Sequence, residues 1–213
     1  ADPPTMAPAA GFMNLSALKS RPFRSYVVSL HLALNGFWAQ RVIIGWLAWN
    51  MTGSAGFVGL VAFLNFFPTL FVSPLFGVFA DRIDIRKGSI FSYALAGTLS
   101  GLFAVICILA GPTPLLLALF SFVTGVISSA NHPMRMSLTP RLAPTADLPS
   151  VVAITSLNFN MSRLTGPVIG GLLIQLTGAS IAFAITAATY AAPVIAIYFM
   201  RPRDRARTNE PPT

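Results

Sequence analysis

The sequence predicts an all-α integral membrane protein, a bundle of six transmembrane helices, and three observations carry that expectation. Hydrophobic residues make up 54% of the 213-residue chain and charged residues only 9%, with a mean hydropathy of +0.71. A soluble domain carries roughly a quarter charged residues. Apolar stretches of membrane length recur six times, separated by short turn-forming breaks. Lysine and arginine gather in alternate breaks only.

A hydrocarbon core about 30 Å thick needs roughly 20 helical residues to cross it, because a helix satisfies its own backbone without water. The first span is placed at Phe23–Trp49, ended by Asn50-Met51-Thr52-Gly53-Ser54. It is too apolar along its length, and lacks the small-residue cleavage site, for a signal peptide. The second, Gly56–Ala80, runs into Asp81-Arg82-Ile83-Asp84, and the third, Gly88–Ala110, into Gly111-Pro112-Thr113-Pro114. Leu115–Pro133 is the fourth, followed by a loop through Pro140 and Pro144. Thr177-Gly178-Ala179-Ser180 separates the fifth, Pro149–Thr177, from the sixth, Ile181–Met200. Gly, Pro, Asn and Asp clusters of this kind are turn chemistry.

The domain division that follows is a cytoplasmic N-terminal segment at 1–22, the six-helix bundle at 23–200 and a basic tail at 201–213. Ala1–Met6 has the character of a vector-derived scar ahead of a native start. The tail reads as a disordered cytoplasmic segment or the start of a central interdomain loop.

Orientation follows from the basic residues, since positively charged loops stay cytoplasmic. Lys19, Arg21 and Arg24 precede the first span, and Arg82, Arg86 and Lys87 follow the second. Arg135 and Arg141 follow the fourth; Arg201, Arg203, Arg205 and Arg207 follow the sixth. The three opposite loops carry none. The expectation is a multi-pass protein of the cytoplasmic (inner) membrane with both termini cytoplasmic.

Several function classes are disfavoured. The net charge of +8 would suggest a nucleic-acid partner if the basic residues formed one patch, but long apolar segments separate them. Cys107 is the only cysteine, so it reads as packing, and His31 and His132 are isolated. No metal or other cofactor is indicated. Neither a glycine-rich phosphate loop, a nucleophile elbow nor a pair of intramembrane carboxylates is present, so no enzyme is expected.

Two short motifs sharpen the reading. Gly77-Val78-Phe79-Ala80-Asp81-Arg82, continued by Asp84, Arg86 and Lys87, lies on the turn between the second and third spans; Gly166-Pro167-Val168-Ile169-Gly170-Gly171 lies in the fifth. The first resembles the signature loop of the major facilitator superfamily and the second its antiporter motif. With Trp46, Thr52-Gly53-Ser54 and Pro74-Leu75-Phe76-Gly77, the chain is most similar to that superfamily's siderophore- and multidrug-exporter branch, which is enterobactin-exporter-like.

The resemblance implies an N-terminal six-helix half, itself a three-plus-three inverted repeat, that exports a small-molecule substrate by alternating access against a second half. That half would be a second copy in a homodimer or a separate chain, so the protein is a half-transporter, one of a pair, or a domain of a longer chain. The alternative is a membrane accessory subunit or isolated domain without transport activity. Gly77, Asp81, Arg82, Arg86 and Lys87 would form a cytoplasmic gate, with Asp81 meeting the start of the fifth span around Asp147–Ser150 of the other half. A carboxylate at a helix C-terminus is disfavoured by the dipole and calls for such a partner, though pairing with Arg82 or Arg86 would also serve. Two departures stand out: Ile85 replaces a basic residue, and Ser121 stands where the proton-antiporter motif places a buried arginine. With all six acidic residues outside the spans, this half offers no intramembrane carboxylate for proton coupling.

Arg41 and Arg163 are the two basic residues inside spans. A lone arginine at a helix centre costs at least ~2.5 kcal/mol on insertion scales, so each should face a cavity or a partner. Asn35, Trp38, Arg41 and Gly45 share one helical face, as do Ser156, Asn160, Arg163 and Pro167. The resemblance implies that spans one, two, four and five line the pathway, which adds Asn65 and, on the fourth span, Ser121, Gly125, Ser128 and His132. The pathway candidates are therefore Asn35, Trp38, Arg41, Asn65, Ser128, His132, Asn160 and Arg163. An acid-free, positive pathway favours anionic or polar solutes with acceptor groups. The competing assignment has both arginines bonded to carbonyls freed at Gly and Pro breaks, or reaching to an interface. Gly166-Pro167 should also kink its helix.

Overall fold

The computed structural model describes residues 15–80 and 84–200, with 73–80 given by backbone alone. Its helices are α1 (Arg21–Thr52), α2 (Ala55–Ala80), α3 (Ile85–Leu109), α4 (Pro114–Leu138), α5 (Leu148–Thr177), α6 (Ala179–Ala188) and α7 (Ala191–Phe199). Short 3-10 turns lie at Ser16–Lys19, Thr139–Leu142 and Thr145–Asp147. The fold is the expected all-α bundle, α6 and α7 together making its sixth rod.

Among the described residues five stretches are long and apolar enough to cross a membrane: Arg21–Thr52, Ala55–Val72, Ile85–Leu109, Pro114–Leu142 and Ala179–Phe199. The protein is thus a multi-pass membrane protein. α5 has 30 residues, about 45 Å at 1.5 Å per residue, but Asn158, Asn160, Ser162 and Arg163 interrupt its apolar character. Large apolar side chains point away from the bundle, with Leu70 72%, Leu109 81% and Phe199 80% exposed. On long helices with satisfied backbones, such faces belong in hydrocarbon.

Two helices depart from the sequence expectation, both at proline. The fourth span does not stop at Pro133 but continues to Leu138. An internal proline costs about 3 kcal/mol of helix stability. Here Met134 and Leu138 are buried beyond it, and Leu138 joins Leu142 and Val151 in the core. The sixth is not one helix: it breaks at Thr189–Tyr190, where Thr189 and Ala192 N–H groups bond three residues back, to Thr186 and Thr189 carbonyls, at 3.2 Å. Restarting at Ala191 puts Pro193 in a first turn, where its missing N–H costs nothing. The break seats in a notch at Gly36, whose added Cβ would lie 2.0 Å from Thr189 Oγ1.

α2 packs most extensively on α4 and α5 on α1, while α3 faces α6. Exchanging the first three helices with the rest turns the α2–α4 pair into α5–α1, which is the contact pattern of a three-plus-three repeat. Two apolar clusters hold the bundle. One joins Phe23, Tyr26 and Leu30 to Leu138, Val151 and Ile197. The other joins Ile43 and Leu47 to a Phe103–Phe120–Phe183 triad with ring centroids 4.2–5.2 Å apart. Along α1 the first cluster takes residues up to Leu34 and the second begins at Ile43. Asn35, Gln40 and Arg41 fall at that changeover.

Candidate functional site

At the changeover lies a half-open cavity of about 230 Å³ lined by α1 to α5 and Tyr190. Trp38 and Arg41 enter it from α1, Phe66 and Thr69 from α2, and Ser128, Asn131, His132 and Arg135 from α4. The Arg41 guanidinium lies over three rings, 4.0 Å from the Phe66 centroid, 4.6 Å from Phe37 and 5.2 Å from Trp38. Its Nε is buried without a hydrogen-bond partner. Arg41 thus meets aromatic faces, a contact worth about 0.5–2 kcal/mol, rather than the carbonyls of a helix break. Trp38 holds the wall by edge contacts to Phe37 and Phe159 at 5.4 and 5.8 Å.

A second cavity, about 250 Å³, adjoins the first through Leu30, Leu34, His132, Arg135 and Phe159, and reaches Ser156 and Asn160 on α5. Arg135 borders both and lies 5.4 Å over the Phe159 ring. Among the described residues that line the two cavities there is no carboxylate. The site presents cations and hydroxyls on an aromatic floor, a surface complementary to an anion with an apolar body.

The structure therefore brings together Trp38, Arg41, Ser128 and His132, with Asn160 in the adjoining cavity and Asn65 beside Arg41 and Ser128 in a small pocket, and sets Asn35 and Arg163 apart. Asn35 turns to α5: it donates to the His31 carbonyl at 2.9 Å and to Ser162 Oγ at 3.3 Å, and accepts from Thr165 Oγ1 at 2.6 Å. Nearby, His31 Nδ1 lies 2.6 Å from Asn158 Oδ1 and 3.0 Å from Ser162 Oγ. Arg163 is exposed, borders neither cavity, and lies over the Trp38 ring at 5.8 Å.

Asn65 clasps α2 to α4, its amide donating to the Ser121 carbonyl and to Thr124 Oγ1 at 3.1 Å each. There Gly125 lets the helices meet; a Cβ on it would lie 2.5 Å from the Asn65 carbonyl oxygen. Interhelical hydrogen bonds in membranes average about 0.6 kcal/mol. Asn65→Leu should therefore cost about 1 kcal/mol, or about 2–4 °C of thermal midpoint in detergent. An unchanged midpoint would mean the clasp is idle.

Gly166 and Gly170 form the α1–α5 contact: added Cβ atoms would lie 2.5 Å from Trp38 Cβ and 2.8 Å from the Ala39 carbonyl oxygen. Gly171 faces open space, and α5 runs unbroken through Pro167. Gly77 is in α2, while Asp81 and Arg82 lie outside the described residues. Arg86 caps α7, its Nε donating to the Ile197 carbonyl at 3.2 Å and Nη2 to that of Tyr198. Lys87 is exposed, its backbone N–H bonded to the Asp84 carboxylate that caps α3. The start of α5, expected to meet Asp81 of another half, is covered by its own N-terminal turn: Ser16 Oγ donates to Asp147, and Ala17 N–H to Ser150 Oγ.

Sequence reasoning missed Arg135, assigned to a loop, and the rings of Phe37, Phe66, Phe159 and Tyr190. Arg135 is legible only once α4 is known to continue, for it then shares a face with Ser128 and His132.

The sequence profile of one family, described as transmembrane secretion effector, matches residues 13–212. The chain belongs to this family of the major facilitator superfamily. Similar proteins include the staphyloferrin A transporter of Staphylococcus aureus, 25% identical over 76% of the chain and 41% of the relative. Multidrug efflux pump Tap of Mycobacterium tuberculosis is 28% identical over 78% and 41%. Enterobactin exporter EntS of Shigella dysenteriae is 30% identical over 83% and 42%. The chain thus spans about two fifths of the length of these curated relatives, and its likeness to siderophore and multidrug transporters does not single out one branch.

Proposed function

We propose that this chain is one six-helix half of an exporter that moves a small anionic or polar solute by alternating access against a second half. The observation that carries this reading is the acid-free cavity in which Arg41 is framed by three aromatic rings with His132 and Arg135 on the facing helix. The match to about two fifths of each relative supports a missing second half. The one-sided lysines and arginines support an inner-membrane protein with both termini cytoplasmic. The chemistry is translocation rather than catalysis. Asp81 and Arg82 keep their proposed place in a cytoplasmic gate, and Asp81→Asn should then raise labelling of cytoplasmic-side cysteines.

The reading is tested by accumulation of fluorescein, an anion, and rhodamine 6G, a cation, in cells expressing the chain. The expected result is selective loss of fluorescein, and Arg135→Gln should weaken it about tenfold, the worth of one charge-assisted hydrogen bond of about 1.4 kcal/mol. Accumulation of rhodamine alone responding, or of neither dye where the chain forms a twofold dimer, would overturn the proposal. A twofold dimer in detergent would place the second half in another copy of this chain, and a monomer in a separate chain or domain.

A further inference from the structure

On the lipid-facing side, away from the two cavities, an open groove of about 1090 Å³ runs between α1, α5 and α7. Its mouth is Arg21, Arg24 and Ser25; its deep end is Asn35 and Ile169. From Arg21 to Asn35 is 14 helical residues, about 21 Å, which is one leaflet of a bilayer about 40–45 Å thick with its headgroups. Between them Val28 and Leu32 on one side and Ile195 on the other form apolar walls, interrupted by Ser29 and His31 on α1 and Thr165 on α5. The groove exists because α7 turns Ala192 and Ala196 toward it.

The charge at the mouth is uncompensated by the described residues. Arg21 and Arg24 are exposed in the first turn of α1, which holds no acidic residue and no side-chain cap. Ser20, the natural capping residue, gives its hydroxyl to the Leu142 carbonyl instead. The two described carboxylates are engaged elsewhere, Asp84 with α3 backbone N–H groups and Asp147 with Ser16. Two cations at the positive end of a helix repel its dipole and each other, and an anion beside them relieves both.

We propose that this groove binds one anionic phospholipid, with the phosphate held by Arg21, Arg24 and Ser25 and an acyl chain laid against α5 and α7. Charge fixes the headgroup and the apolar walls fix the tail. A zwitterionic lipid carries the same phosphate but brings its own cation to the two arginines, so it binds less well.

Native mass spectrometry of the full chain, released from micelles holding equal phosphatidylglycerol and phosphatidylcholine, tests the site. The wild type should retain phosphatidylglycerol by about tenfold or more, as two basic contacts allow. Arg21→Gln with Arg24→Gln should bring the ratio near one, whereas Lys19→Gln with Lys87→Gln, which removes the same charge elsewhere, should leave it. Ala192→Phe with Ala196→Phe fills the groove while sparing both arginines and should also abolish retention. Millimolar inorganic phosphate or glycerol phosphate should not displace the lipid. An equal loss in the lysine variant, retention in the filled groove, or displacement by free phosphate would each overturn the proposal. None of these readouts depends on transport.

Discussion

Gly170→Ala is expected to destabilise the bundle by about 1–3 kcal/mol, the usual cost of overpacking, while the adjacent Gly171→Ala leaves stability unchanged or slightly raised. A methyl on Gly170 would lie 2.8 Å from the Ala39 carbonyl oxygen and 2.9 Å from its Cα. Those are backbone atoms, so only separation of α1 from α5 relieves the clash. The same separation stretches the bonds of Asn35 to Ser162 and Thr165, so packing and polar contacts weaken together. A methyl on Gly171 meets nothing within 4 Å, and replacing a helical glycine with alanine favours the helix by up to about 1 kcal/mol. Thermal unfolding in detergent should separate the two variants by roughly 3–10 °C at about 2–4 °C per kcal/mol. Equal midpoints would show that α1 and α5 are not in register at Ala39.

That contrast between neighbouring glycines marks where sequence stopped being informative. Five of the six spans were legible because hydropathy is a property of a single helix in a bilayer. The prolines were not: Pro133 is carried inside α4 by the burial of Met134 and Leu138, whereas Pro193 follows a break that docks into the notch at Gly36. The same residue type has opposite outcomes because its neighbours' tertiary contacts differ.

The site divides similarly. Trp38 and Arg41 were placed by helical spacing, and spacing also recruited Asn35. Residues three apart diverge by about 60° around a helix, and the α1–α5 crossing falls between Asn35 and Trp38, sending one to α5 and the other to the cavity. The aromatic cage was invisible because a phenylalanine facing lipid and one facing a guanidinium look alike in sequence. Phe66 does both, 55% exposed yet 4.0 Å from Arg41.

Arg41→Met is expected to raise thermal stability while abolishing transport, and the opposite signs of the two readouts make the prediction sharp. The guanidinium is half-buried with an unpartnered Nε, and three rings are its compensation. At a half-exposed site cation–π contacts return about 0.5 kcal/mol each, roughly 1.5 kcal/mol for the three, against an insertion cost of at least ~2.5 kcal/mol. Methionine keeps much of the length, packs on the same rings and carries no charge. A gain of about 1 kcal/mol, or roughly 2–4 °C, is the expected thermal result. On the proposed function, fluorescein export should fall at least about tenfold, since an anion in the cavity would lose one of its lining cations. Arg41→Lys distinguishes charge from geometry: it retains the positive charge but not the planar stacking surface, so it should export at an intermediate rate. A methionine variant that is less stable than wild type would identify Arg41 as a structural cation, and one that exports normally would remove it from the pathway.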